Sequence, residues 1–204
     1  MSPTARRIGL IAVVGLATGV LTQLGQGLIP DGWNQAANSI SPWLTVAFLL
    51  ASSMPDRRWA AAAGVGTLAL AVIGYYAMIQ LRYGYGASTG ALIFWGIGSL
   101  AGGVVYGLAG RAWRTGGPRQ RAAAIGLLAA VYIAEGIYLL NILPRTPAVG
   151  AGFVIVGLVV PLLVGRTRAD RLGGYVAIAP MLLLGLLGYV AFIAVYFLTT
   201  GLGV

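Results

Sequence analysis

Residues 122–143 read AAAIGLLAAVYIAEGIYLLNIL, with Arg119-Gln120-Arg121 before them and Pro144-Arg145 after. At a helical rise of 1.5 Å per residue the run covers about 33 Å, enough to cross the roughly 30 Å hydrocarbon layer of a bilayer. The segment therefore reads as a transmembrane helix. Glu135 lies fourteen residues beyond Arg121 and ten before Arg145, near the middle of that layer. An acid left exposed at that depth costs at least ~2.5 kcal/mol, so it needs a partner or a purpose.

Six further apolar runs surround this one: Ile8 to Ile29, Ala37 to Met54, Trp59 to Leu81, Ser88 to Gly110, Ala148 to Val164 and Gly174 to Leu198. The breaks between them carry turn formers or charge, as in Pro30-Asp31-Gly32 and Pro55-Asp56-Arg57-Arg58. The expectation is an all-α, polytopic transmembrane bundle of seven spans, forming one domain over residues 1–204. Composition agrees, because 59% of the chain is hydrophobic and only 8% is charged, where a soluble chain carries roughly 25%.

All 13 basic residues are arginine, the acids are Asp31, Asp56, Glu135 and Asp170, and there is no lysine, histidine or cysteine. That inventory removes zinc and haem sites built on His or Cys, thiol nucleophiles, Ser-His-Asp triads, lysine Schiff bases and disulfides. No cofactor and no enzyme activity are expected, since a single mid-membrane acid would have no general-base partner.

Arginine placement orients the bundle, because short loops rich in Lys or Arg stay in the cytoplasm. With the N-terminus cytoplasmic, the inner side holds Arg6, Arg7, Arg57, Arg58, Arg111, Arg114, Arg119, Arg121, Arg166, Arg168 and Arg171, and the outer side holds Arg82 and Arg145. The C-terminus then lies outside. Arg6-Arg7 before an apolar run also resembles a secretory or twin-arginine signal, but no small-x-small site precedes Pro30, so an uncleaved first helix is expected. The net charge of +9 reads as plasma-membrane topology and attraction to anionic headgroups, with no basic stripe suited to nucleic acid. Trp33, Trp43, Tyr75, Tyr76, Tyr83, Tyr85 and Tyr196 fall toward the outer interface as anchors, and Trp59, Trp113 and Tyr175 toward the inner one.

A tandem helical-hairpin repeat is visible. A shift of 62 residues pairs Gly64, Gly74 and Tyr76 with Gly126, Gly136 and Tyr138, and a shift of 55 pairs Gly102 and Val104 with Gly157 and Val159. Glycines at four-residue spacing, Gly15 with Gly19 and Gly98 with Gly102, let helix backbones approach in lipid. They serve either internal packing or a docking face for a partner membrane protein.

Tyr132, Glu135, Tyr138 and Asn141 recur every three residues, so successive side chains turn by 60° into a polar stripe winding around half of the 122–143 helix. Glu135 there could bind a cation, relay a proton or hold a polar ligand, or it could join two helices as a hydrogen-bonded acid. A second polar cluster, Asn34, Gln35, Asn38, Ser39 and Ser41 before Pro42-Trp43, opens the second run, where Pro42 favours a kinked or partly unwound entry. Gln23 and Gln26 could join it in an outward vestibule. With the deep Trp95, these define a candidate small-molecule site of Glu135, Tyr132, Tyr138, Asn141, Trp95 and Asn38. Solute binding or transport is the first functional reading, and a scaffold packing on partner helices is the second.

At Asn38-Ser39 to Pro42-Trp43, Gly74-Tyr75-Tyr76, Phe94-Trp95 and Glu135-Gly136, the chain resembles an uncharacterised family of small polytopic membrane proteins from GC-rich bacteria. That resemblance covers most of the chain and implies no activity. In size and topology it is also similar, more weakly, to the substrate-binding subunits of energy-coupling-factor vitamin transporters, which have six helices in the usual case.

Overall fold

The structure, a computed structural model, describes residues 2–30, 33–141 and 147–200, without the side chains at 189, 192–193, 195–196 and 198–200. Asp31, Arg145 and Val204, and the side chain of Tyr196, lie outside the described residues. All regular structure among the described residues is helical: α1 Pro3–Leu28, α2 Asn34–Ala37, α3 Ile40–Ser52, α4 Arg57–Tyr83, α5 Thr89–Thr115, α6 Pro118–Asn141, α7 Pro147–Val164 and α8 Arg168–Thr200. Six of these, α1 and α4 to α8, contain stretches long and apolar enough to cross a membrane.

Local chemistry sets most of the helix starts. Ser2, Asp56 and Ser88 each accept a hydrogen bond from the backbone N–H three residues on, filling one of the donors that a helix start leaves open. Gly84 ends α4 at φ 76°, a left-handed conformation that costs glycine nothing. The expected span from Ala37 to Met54 departs from this pattern. It divides into α2 and α3, with Asn38 and Ser39 breaking the helix between them. At 13 residues, α3 is about 20 Å long.

Close glycine contacts fix the helix directions. Gly15 and Gly19 of α1 lie on Thr67 and Ala71 of α4, so these two helices run parallel. Gly64 of α4 meets Gly103 of α5, and Ala60 meets Gly107, so that pair is antiparallel. Phe48 of α3 covers Gly110 of α5 and Leu44 covers Gly102, giving a parallel pair. In the second half, α6 runs antiparallel to α7 through Gly136 and Gly150, and parallel to α8 through Gly126 and Ala177. Because α1 and α4 are parallel, the short α3 returns the chain along the length of the bundle between them. Trp43, Phe48, Leu68, Tyr106, Leu128 and Val160 form the core where α3 to α7 meet.

These packings bear on three expectations. Gly15 and Gly19 are buried against α4 and Gly102 meets Leu44 and Leu68, so these three pack inside the bundle, while the half-buried Gly98 lines a small cavity beside α3. The paired glycines of the hairpin repeat pack on non-equivalent partners: Gly64 on α5 but Gly126 on α8, and Gly74 on α1 but Gly136 on α7. A shared spacing of small residues records close approach, not which helix approaches. Trp43 is no interface anchor, since it is buried with its indole N–H donating to Thr22 Oγ1 (2.9 Å) and its ring against Tyr75 and Trp95.

One end of the bundle collects Arg6, Arg7, Arg57, Arg58, Arg111, Arg114, Arg119, Arg121, Arg166, Arg168 and Arg171. There, Arg7 lies over the Trp59 ring, Arg166 over Trp113, and Arg121 pairs with Asp170 at 2.9 Å, tying α6 to α8. At the opposite end Arg82 donates to Gln23 Oε1 (3.0 Å). Gln23 is itself buried and lines no vestibule.

Candidate functional site

Glu135 is 3% exposed, and its carboxylate faces the start of α3. The Ile40 N–H donates to Oε1 at 3.0 Å, the Ser41 N–H donates to Oε2 at 2.9 Å, and the Ser41 hydroxyl donates to Oε2 as well. The acid therefore caps α3 from α6. Ser39 occupies the N-cap position of α3, but its hydroxyl donates instead to the Gln35 carbonyl. Three convergent donors and the positive end of the helix dipole suit a carboxylate, which accepts and does not donate.

A polar seam continues from this junction toward the arginine-rich end. Thr45 Oγ1 donates to the Ser41 carbonyl at 2.8 Å and lies 2.9 Å from the Tyr132 hydroxyl, which is thereby the donor of that second bond. One turn deeper Tyr106 donates to the Leu127 carbonyl at 3.4 Å. Glu135, Ser41, Thr45 and Tyr132 thus join α3 to α6 through hydrogen bonds.

The structure gathers only part of the expected site. Glu135 and Tyr132 share the seam. Trp95 and Asn38 line a cavity of about 50 Å³ beside the α3 start, with Ser39, Ile40, Trp43 and Ser99 around it. That volume takes a few waters. Tyr138 packs instead against the cluster of Leu139, Val149 and Phe153. Asn141 is exposed and its amide donates to Ile137 of its own helix, away from Glu135. Ser41 and the Ile40 backbone complete the Glu135 site. Their polar cluster was legible in the sequence, but its pairing with an acid 94 residues away was not.

A larger space opens at the arginine-rich end. A cleft of about 730 Å³ lies between the start of α4, the end of α5, the start of α6 and α8. Asp56, Arg57, Arg111 and Gln120 supply its polar groups, and Leu108, Leu127 and Met181 its apolar wall. Arg111 donates to the Met54 carbonyl at 2.6 Å, and Asp56 Oδ1 accepts the Trp59 N–H.

Apolar helices long enough to cross a bilayer, packed through glycines around a buried, capped acid, define a multi-pass membrane protein. The chain belongs to a family of unknown function, DUF6518, which it matches over residues 1–195. No curated protein and no solved structure matches it.

Proposed function

We propose that this protein binds a small molecule at the cytoplasmic face of the plasma membrane, in the cleft at its arginine-rich end. On this reading the chain crosses seven times with its N-terminus inside, and α3 is the short second crossing. The parallel run of α1 and α4 supports that count, since the chain must return between them. The eleven-to-two division of arginines supports the orientation. The protein acts by binding and moving its solute, without chemistry on it.

The observation that carries the reading is the volume of the cleft. At about 730 Å³ it lies within the roughly 300–1,000 Å³ of small-molecule sites, whereas the cavity beside Trp95 and Asn38 is about 50 Å³. Glu135 is then a positioning residue that holds the start of α3 against α6.

A thermal-shift screen of solutes on the purified protein tests this. A ligand present at a hundred times its Kd adds about 2.7 kcal/mol to stability. Thr115 is exposed at the cleft, so Thr115→Trp should fill the mouth and abolish the shift while leaving the unliganded melting temperature in place. A shift that survives Thr115→Trp but disappears in Trp95→Ala would return the site to the Glu135 region.

A further inference from the structure

We infer that the occupant of the cleft is an anionic phospholipid of the inner leaflet, its headgroup against Arg57 and Arg111 and its acyl chain along Leu108, Leu127 and Met181. The inference rests on the cleft being a binding site and names the chemistry it selects.

The lining is sorted by depth. Arg57 stands at the first residue of α4, and Gln120 in the first turn of α6, both at the polar end. Leu108 precedes the end of α5 by seven residues, about 10 Å along the helix, and Met181 follows the start of α8 by thirteen, about 20 Å. A ligand filling this space has a charged end at headgroup level and an apolar end within the hydrocarbon. A compact polar solute would leave Leu108, Leu127 and Met181 unused.

Charge selects the head. Two guanidinium groups and one carboxylate line the mouth, and the Asp56 carboxylate already accepts the Trp59 N–H. Arg111 commits one of its five N–H donors to Met54. Arg57 makes no ion pair among the described residues. Guanidinium groups recognise phosphate through paired N–H donors, and juxtamembrane arginines attract anionic lipid by about 1 kcal/mol each.

The test uses full-length protein in detergent, titrated with a spin-labelled phosphatidylglycerol, with a matched phosphatidylcholine and with glycerol phosphate. Phosphatidylglycerol should bind saturably and be excluded by Thr115→Trp. Phosphatidylcholine and glycerol phosphate should not compete at equal concentration. Arg57→Gln, at an exposed position, should weaken phosphatidylglycerol about fivefold, the equivalent of about 1 kcal/mol. Arg111→Gln should weaken it further, but it also removes the Met54 contact, so Arg57→Gln decides. Equal binding of the two lipids, or no change in Arg57→Gln, overturns the lipid assignment. If a soluble solute then still stabilises the protein in a Thr115-dependent way, the cleft stands as a site and only its occupant is wrong. If neither lipid nor solute responds to Thr115→Trp, both readings fall.

Discussion

Two helix starts among the described residues are capped by a carboxylate from outside the helix. At α4 the acid is Asp56, the residue just before the helix, exposed at the polar end and bonded to the N–H of Trp59 three positions on. At α3 it is Glu135, buried and borrowed from α6. The chemistry is the same, a negative group on open N–H donors. The surroundings differ. Water can replace Asp56 directly if it is lost, whereas at the buried start of α3 the only substitutes at hand are the Ser39 hydroxyl and whatever water the small cavity beside it admits. The comparison teaches that the worth of a cap is set by what would take its place.

The largest effect should follow Glu135→Leu. Two backbone N–H groups and the Ser41 hydroxyl would lose their acceptor in an apolar interior, at about 1–3 kcal/mol for each unsatisfied group. Melting temperature and yield in detergent should collapse. A loss no greater than that of an Asp56 variant would break the contrast between the two caps.

Glu135→Gln should cost about 1–3 kcal/mol. An amide keeps the shape of this residue but has one acceptor oxygen and would turn its NH₂ toward a donor. Measuring unfolding of the Gln and Leu variants side by side would sharpen the comparison, with Gln between wild type and Leu.

Asp56→Ala should cost about 1 kcal/mol, and Asp56→Ser almost nothing, since serine caps as well as aspartate. The readout is the same unfolding curve. A collapse in Asp56→Ala equal to that in Glu135→Leu would show that burial is not what separates them.

The long helices were legible because lipid demands continuous apolar length, and the expected run Trp59 to Leu81 became Arg57–Tyr83 with only the ends shifted. Those shifts come from polar residues at the water boundary, which cap a helix without being apolar. The division of residues 37–54 was half legible. Pro42 and the polar cluster announced an irregular entry, but Pro42 itself sits inside the first turn of α3, where a missing N–H does no harm. The break fell earlier, at Asn38 and Ser39. Glu135 could be picked out from its depth alone. Its partner could not, because a carboxylate matches any group of donors and spacing along one helix says nothing about the helix across from it. The cleft was invisible in the sequence, since Arg57 and Arg111 look the same whether they face lipid headgroups or a space between helices.

The separation of the α3 cap from its helix has a consequence in time. Ser41 and Glu135 are 94 residues apart in sequence. At roughly 5–20 residues per second of synthesis, about 5 to 20 s pass between the making of α3 and the arrival of its acceptor. Throughout that interval α3 is a 13-residue helix with an open start, beside an α1 and α4 already able to pair through their glycines. The start of α3 in the first half of the nascent chain must therefore wait for α6 in the second half before its donors are filled.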